Sequence, residues 1–108
     1  MTLIDVWINC PDADVAHAIS EALVAERLAA CTNTFAPIQS AFHWKGRVER
    51  ESEVPLLVKT RDELFDQLCE RVRELHPYET PGIMALRIDR VNDDYHDWVL
   101  EETRSPAS

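Results

Sequence analysis

Apolar and polar residues alternate along several short segments of the chain, and this alternation predicts β-strands. The first segment, residues 3–9, places Ile4, Val6 and Ile8 on one face and Trp7 on the other. Apolar residues on both faces indicate a strand that is covered on both sides. The sequence therefore predicts an N-terminal strand with apolar residues on both faces.

A long hairpin is predicted next. Its first strand runs from about residue 31, is interrupted near Pro37 and resumes over residues 40–44. After a turn at Gly46, the returning strand begins polar and becomes apolar over residues 54–58. Pro55 lies in that apolar part, and because proline has no N–H to donate, it predicts an edge or a bulge.

Helical periodicity predicts two longer helices. Asp12 is the expected N-cap of a first helix that extends to about Arg27. Thr60 and Glu63 match the capping-box pattern that often begins a helix. The apolar stripe of this second helix is Leu64, Phe65, Leu68, Val72 and Leu75. It should end at His76, because a residue that precedes proline disfavours helical angles.

A fourth strand over residues 83–89 and a short helix after Asn92 complete the predicted order β-α-β-β-α-β-α. This order is that of an α+β, ferredoxin-like βαββαβ sandwich with a short C-terminal helix. We expect a single domain over residues 1–103 and a disordered tail over 104–108. Both main helices would lie on one face of the sheet, so a partner subunit is expected to cover the other face.

Charge and composition narrow the possible functions. The 108 residues carry a net charge of −9 with no basic stripe, which argues against nucleic-acid binding. No segment reaches the ~20 apolar residues that a membrane-spanning helix needs. The three cysteines have no paired spacing, which favours a reducing compartment over a disulfide scaffold. Because the N-terminus also lacks a signal-peptide pattern, we expect a cytoplasmic protein.

Few residues of the chain form a known chemical motif. With only two glycines, the chain has neither a dinucleotide-binding nor a Walker phosphate loop. Cys10 precedes the first helix, where a thiol can serve as a nucleophile or metal ligand, although a buried apolar role is the commoner one. Lys59 ends an apolar strand, where it either extends to solvent or neutralises a carboxylate such as Glu53 or Glu79. Trp44 belongs either to the core or to a subunit interface.

The densest group of functional side chains lies between two prolines. His76, Tyr78 and Glu79 fall between the end of the second helix and Pro81. A histidine at a helix C-terminus can simply interact with the helix dipole. Rigid loops often carry function, however, so a binding role is equally compatible with this stretch.

Several motifs together resemble the CutA family. They are ERLAAC at residues 26–31, WKG at 44–46, EV at 53–54, LVKT at 57–60, LHPYETP at 75–81, and the aromatic residues Tyr95 and Trp98. The resemblance extends from about residue 3 to residue 102. It implies a ferredoxin-like subunit in a homotrimer similar to the PII proteins, and a role in tolerance of copper or another divalent metal.

The resemblance also implies a set of site residues and no enzymatic reaction or organic cofactor. The expected metal ligands are His76, Cys10 and Glu79, and the expected inter-subunit ligand cleft contains Trp44, Lys59, Tyr78 and Glu53. Copper(I) would prefer cysteine and histidine, whereas copper(II) would prefer histidine with carboxylates.

Two alternative functions stay open at this point. One is a small hydrolase of the acylphosphatase type on the same fold, although that chemistry needs a phosphate-binding loop that is not evident here. The other is a purely structural or signalling scaffold, which would act through an unidentified protein partner.

Overall fold

The computed structural model describes residues 1–106, and these form five strands and three helices. In chain order the elements are β1 (Leu3–Cys10), α1 (Ala13–Ala25), β2 (Cys31–Thr34), β3 (Ile38–Trp44), β4 (Arg47–Arg61), a 3-10 turn (Asp62–Leu64), α2 (Phe65–Leu75), β5 (Ile83–Arg87) and α3 (Asp93–Glu102). None of the described helices is long and apolar enough to cross a membrane.

The strands form an antiparallel sheet in the order β2-β4-β1-β5, and β3 pairs with the first half of β4. β4 is 15 residues long and therefore serves both parts of the sheet. When β2 and β3 are taken as two halves of one interrupted strand, the element order is the predicted βαββαβ with a C-terminal α3. The predicted α+β fold is confirmed.

Pro55 lies where β2 and β3 are separated. β4 is not an edge strand, because β1 pairs with it along one side. On its other side the pairing with β2 ends at Leu56 and the pairing with β3 begins at Glu53, so of the two predicted places, an edge or a bulge, Pro55 lies at an irregularity of the sheet. The backbone N–H of Phe35 donates to the carbonyl of Pro55 at 2.9 Å. In a strand, the N and O atoms of one residue point to the same side, so the missing donor of Pro55 faces the gap between Thr34 and Ile38. Because neither β2 nor β3 pairs with β4 at Pro55, the missing N–H leaves no ladder hydrogen bond unmade at this position.

The core lies between the sheet and the pair of helices α1 and α2. It is built from alternate residues of β1 and β4 and from one face of each helix. Its fully buried members include Ile4, Val6, Ile8, Leu56, Val58, Ile19, Leu23, Leu68 and Val72. Burial of each such side chain is worth about 2 kcal/mol, so this face holds the fold together.

The second helix begins later than its capping pattern indicates. Thr60 remains in β4, pairs with Ile4 across the sheet, and donates its hydroxyl proton to the carbonyl of Leu28 at 2.7 Å. The 3-10 turn then contains Glu63, and α2 starts at Phe65 without a side-chain cap. The predicted capping box was wrong because pairing with β1 extends β4 through the residues that would form it.

The other helix ends agree better with the sequence. Asp12 caps α1, and its carboxylate accepts from the backbone N–H of Val15 at 2.9 Å. Asn92 is the N-cap residue of α3, but its side chain makes no capping hydrogen bond. At the end of α2, His76 adopts an extended conformation with φ of −85° and ψ of 130°, as a residue before proline should.

The outer face of the sheet, opposite α1 and α2, is only partly covered. α3 lies over one end of it and is held by Arg61, whose guanidinium donates to Leu100 O at 2.6 Å and to Thr103 Oγ1 at 2.9 Å. On the edge strand β5, the side chains of Met84 and Leu86 are each 67% exposed. The expectation that the short last helix cannot cover this face alone is confirmed.

The segment after α3 is attached to the rest of the protein as far as the structure describes it. The backbone N–H of Arg104 donates to Arg27 O at 2.8 Å, and the amide of Gln67 donates to Pro106 O at 3.0 Å. These bonds correct the expected disorder for residues 104–106. Residues 107–108, the rest of the predicted tail, lie outside the described residues.

Candidate functional site

A groove of about 1100 Å³ opens on the outer face, between the β3–β4 hairpin and the loop that follows α2. Four of the predicted site residues line the groove: Trp44, Glu53, Tyr78 and Glu79. Other lining residues were not predicted as part of a site. The lining includes Trp7, Asn9, Phe42, Trp44, Glu49, Glu51, Glu53, Tyr78 and Glu79. The predicted cleft residue Lys59 lies elsewhere in the subunit.

His76 packs against Tyr78 of the groove lining and uses both of its ring nitrogens. Its Nδ1 accepts from the backbone N–H of Tyr78 at 3.2 Å, and its Nε2 lies 2.9 Å from the carbonyl oxygen of Asn9. Because Nδ1 is an acceptor, the neutral ring carries its proton on Nε2, which donates to Asn9. A metal ion bound to His76 would have to replace one of these two partners.

Tyr78 connects the loop to β4. Its ring packs against the imidazole of His76 at a centroid distance of 4.6 Å, and its hydroxyl donates to Glu53 Oε2 at 2.8 Å. Glu53 is only 5% exposed. Burial and the neighbouring Glu53 carboxylate raise the pKa of Tyr78 well above its ordinary value, so the hydroxyl keeps its proton and remains the donor.

Lys45 and Glu79 join the outer end of the groove. Lys45 and Gly46 form the hairpin turn with φ of 47° and 79°, the left-handed pair that a tight two-residue turn requires. From this turn, Lys45 Nζ lies 3.4 Å from Glu79 Oε2 and 5.4 Å from the centroid of the Trp44 ring. The lysine ammonium therefore sits between a carboxylate and an aromatic face.

Cys10 is fully buried at the end of β1. Burial, with smaller contributions from Asp12 and Glu53, raises the pKa of its thiol to about 11. Cys10 is therefore protonated at neutral pH, which matches the apolar role considered from the sequence rather than that of a reactive thiolate.

Lys59 lies in a different part of the subunit. It pairs with Asp5 at 3.6 Å, and both line a small cavity of about 190 Å³ beneath α3. Of the two alternatives considered for Lys59, neutralising a carboxylate is the one observed, but the carboxylate is that of Asp5 and not that of Glu53 or Glu79. Lys59 is opposite Asp5 in the sheet, whereas Glu53 is six residues away on the same strand, about 20 Å along it.

Glu49 and Glu51 are among the groove residues that the sequence analysis missed. The register places Glu49 opposite Phe42, Glu51 opposite Ser40 and Glu53 opposite Ile38. Opposite residues of an antiparallel pair share a face, so the three carboxylates lie beside Ile38, Ser40 and Phe42, and Glu49 Oε1 also lies 4.0 Å from Arg47 Nε. Glutamates at every second position of a predicted strand were a signal that could have identified this face.

The described residues contain no group of three or more His, Cys, Asp or Glu side chains placed to hold a metal ion. Of the predicted metal ligands, His76 is bonded through both nitrogens, Cys10 is buried as a thiol, and Glu79 is paired with Lys45. The groove is thus defined by its carboxylates and aromatic rings within one chain.

Comparison with protein families matches residues 4–102 to the CutA1 divalent ion tolerance protein. The chain belongs to the CutA family. It is 47% identical over 98 residues to the divalent-cation tolerance protein CutA of Thermus thermophilus, which covers 91% of this chain and 95% of that protein. A crystal structure from the same organism, 45% identical, superposes with a TM-score of 0.92 and covers 94% of this chain and 99% of its own.

Another CutA relative, from Pyrococcus horikoshii, is 39% identical over 102 residues, which is 94% of this chain and 99% of that protein. Relatives of this CutA chain are named for different compartments. One solved structure is of a periplasmic CutA from Archaeoglobus fulgidus, 37% identical, with a TM-score of 0.90 over 93% of this chain and 97% of its own. A chloroplastic CutA from Arabidopsis thaliana is 35% identical. The match covers 93% of this chain and 55% of that longer protein.

Proposed function

We propose that this CutA protein acts in the response to divalent metal ions as a homotrimer, with a ligand cleft where subunits meet. The observation that carries the proposal is the match to divalent ion tolerance proteins over residues 4–102. The groove beside Tyr78 and Trp44 is the concave surface that such a cleft would use.

The exposed apolar side chains support the assembly. Met84 and Leu86 are each 67% exposed on an edge strand, where unpaired backbone groups can accept another strand. Phe42, Trp44 and Val48 of the hairpin are also exposed, at 37%, 38% and 55%. An exposed apolar area of this kind is characteristic of an interface between proteins, and a second and third copy of the chain are the proposed partners.

Sedimentation equilibrium at micromolar concentration tests the assembly. A trimer would have three times the chain mass of 12.4 kDa. Leu86→Asp should lower the mass towards that of a monomer, because it places a charge in the proposed interface. Val24→Asp is the matched control, since Val24 is exposed on α1 at the opposite face. A stable monomer of the unmodified chain would refute the trimer.

Copper is the proposed metal, and its proposed ligands are His76, Cys10 and Glu79. The described residues of one chain do not bring these three together, so binding would require them to move. Nitrogen and sulfur donors suit copper better than they suit magnesium or calcium. Binding would exchange a present partner of His76, either Asn9 O or the Tyr78 N–H, for the metal. It would also release the proton of Cys10, so affinity should increase with pH.

Titration calorimetry with copper tests these ligands. His76→Gln should weaken binding, whereas His17→Gln, a change of an exposed histidine on α1, should leave it unaltered. Equal binding by the unmodified chain and the His76→Gln variant would eliminate the site.

The proposal assigns no catalytic residue and places the protein in the cytoplasm. The alternative of an acylphosphatase-type hydrolase is tested by incubating the protein with an acyl phosphate, where turnover above the rate of a Glu53→Gln variant would support the enzyme.

Cell fractionation tests the compartment, and recovery in a periplasmic or organelle fraction would overturn the cytoplasmic assignment.

A further inference from the structure

The small cavity of about 190 Å³ beneath α3 has a mixed polar and apolar lining. Its polar side chains are Asp5 of β1, Lys59 of β4 and Tyr95 of α3, and its apolar lining includes Ile88 and Val91. Asp5 and Lys59 are paired positions of adjacent antiparallel strands, so their side chains stand side by side on one face. The cavity shares no lining residue with the groove beside the β3–β4 hairpin.

The ion pair between Asp5 and Lys59 is incompletely satisfied by the protein. The two side chains are only 26% and 27% exposed, and Lys59 Nζ lies 3.6 Å from Asp5 Oδ1. This separation exceeds the about 2.7–2.9 Å of a charge-assisted hydrogen bond. Neither side chain makes a hydrogen bond to any residue in 1–106. Attraction within such a pair offsets the loss of hydration only when further hydrogen bonds serve both charges, so a molecule that supplies them would stabilise the pair.

The phenol of Tyr95 adds a donor to the same cavity. Its ring lies 5.5 Å from that of Trp98, and its hydroxyl has no hydrogen-bond partner among the described residues. Burial, with smaller contributions from Cys31 and Asp5, raises the pKa of Tyr95, so the hydroxyl keeps its proton at physiological pH. An ammonium, a carboxylate and a phenol thus border one cavity, and each has unused hydrogen-bonding capacity.

The charges restrict the ligands that this cavity can accept. An anion bound to Lys59 would be repelled by Asp5, and a cation bound to Asp5 would be repelled by Lys59, because the two groups are 3.6 Å apart. A molecule that carries both a carboxylate and an ammonium group is attracted by both residues. The charge pattern therefore favours a dipolar ligand over a singly charged one.

The volume restricts the ligand further. A cavity of about 190 Å³ has the volume of roughly six water molecules in the liquid. It is smaller than the about 300–1000 Å³ of pockets that bind drug-sized molecules. Only a small dipolar molecule with a short apolar part matches this size and lining.

We propose that the cavity binds a small aliphatic α-amino acid as its zwitterion. The carboxylate of the ligand would accept from Lys59 and from the Tyr95 hydroxyl, and its ammonium group would donate to Asp5. Its side chain would contact the apolar lining at Ile88 and Val91. The lining residues belong to one chain, so binding requires neither the trimer nor copper, and failure of either leaves this proposal unaffected.

Titration calorimetry with L-valine tests the inference. We expect saturable binding of one molecule per chain. 3-Methylbutanoate lacks the ammonium group of valine and 2-methylpropylamine lacks its carboxylate, so each should bind about tenfold more weakly, a loss of about 1.4 kcal/mol. Absence of saturable L-valine binding, or equal binding of the three compounds, would overturn the proposal.

Removal of one charge should reverse the preference between these compounds. Lys59→Met leaves Asp5 as the remaining charge, so this variant should bind 2-methylpropylamine more tightly than L-valine. Asp5→Asn should instead favour 3-methylbutanoate. Asp14→Asn is the matched control, since Asp14 is exposed on α1 outside the cavity, and it should keep the preference of the unmodified chain. A merely structural ion pair would change stability without reversing the preference, and that result would contradict the proposal.

Two further variants test the site even if a charge variant fails to fold. Tyr95→Phe should weaken L-valine binding about fivefold, because it removes one hydrogen bond. Val91→Phe places a ring in the cavity and should weaken binding at least about tenfold. Val24→Phe is its control, since Val24 is exposed on α1. Circular dichroism checks the fold of each variant, and equal L-valine binding by the Val91→Phe and Val24→Phe variants would eliminate this cavity as the site.

Discussion

The hydroxyl of Tyr78 donates to Glu53 Oε2 at 2.8 Å and thereby joins the loop after α2 to the middle of β4. Glu53 is almost completely buried, so its carboxylate depends on this donor. Burial and Glu53 together raise the pKa of Tyr78, which keeps the phenol protonated at physiological pH. The pair therefore holds the loop against the hairpin and sets the width of the groove.

Replacing Tyr78 with Phe should destabilise the protein by about 1–3 kcal/mol, because the buried Glu53 carboxylate would lose its donor. Urea unfolding followed by circular dichroism measures the change. Tyr95→Phe is a matched control, since the Tyr95 hydroxyl makes no hydrogen bond among the described residues, and its effect should stay within about 0.5 kcal/mol. Equal losses in the two variants would contradict the role given to the Tyr78–Glu53 bond.

The neutral imidazole of His76 should carry its proton on Nε2 in the metal-free protein. This follows from the backbone N–H of Tyr78, which donates to Nδ1. Nitrogen-15 NMR of the histidine rings distinguishes the two tautomers by their chemical shifts. A proton on Nδ1 would contradict the hydrogen bonds described here. Addition of copper should alter the signals of this ring if the proposed ligand set is correct.

Cys10 should react slowly with iodoacetamide at pH 8, because its thiol is buried and its pKa is raised to about 11. Cys31 is half-buried and should react earlier, which peptide mass spectrometry can show. The raised pKa of Cys10 also determines the direction in which the stability of the protein changes with pH. The stability contributed by the protonated thiol is complete below pH 9.0 and is lost as the pH rises through about 11.

The expected pH effect of Cys10 can be measured directly. The free energy of unfolding of the unmodified chain should fall more steeply between pH 9 and pH 11 than that of a Cys10→Ala variant. Equal slopes would show that the thiol does not titrate differently in the folded and unfolded states.

Arg61→Met should destabilise the protein by about 2–3 kcal/mol and release α3. Arg61 donates to Leu100 O and Thr103 Oγ1 from a buried position, and methionine keeps its apolar contacts without these bonds. Arg87→Met is the control, because Arg87 is 78% exposed in its ion pair with Asp62 and should contribute less than about 1 kcal/mol. Hydrogen exchange of the α3 amides reports the release.

Periodicity in the sequence predicted the helices, the order of the elements and most of the core, because burial of an apolar face dominates those choices. It failed at Thr60 and left the partner of Lys59 open, because strands distant in the sequence decide both. Thr60 continues β4 because β1 lies beside it, and Lys59 pairs with Asp5 across the sheet. A local pattern contains no information on which strand will be the neighbour.

The candidate site was predictable to a similar extent. The stretch from His76 to Glu79 was found as an unusual density of functional side chains, and the structure places it beside the hairpin. The contribution of Glu51 was missed, because its importance depends on the register between β3 and β4. Asn9 accepts from His76 through its backbone carbonyl and from Trp7 Nε1 through its side-chain oxygen, and no sequence motif reveals either contact.

The uninterrupted length of β4 has a mechanical consequence. Its first half carries the carboxylates of the groove, its second half lies in the centre of the sheet, and no hinge separates them. The hairpin therefore behaves as a stiff extension of the core and not as a flap that closes over a ligand. Side chains on the hairpin are therefore held at fixed distances from the side chains of the core.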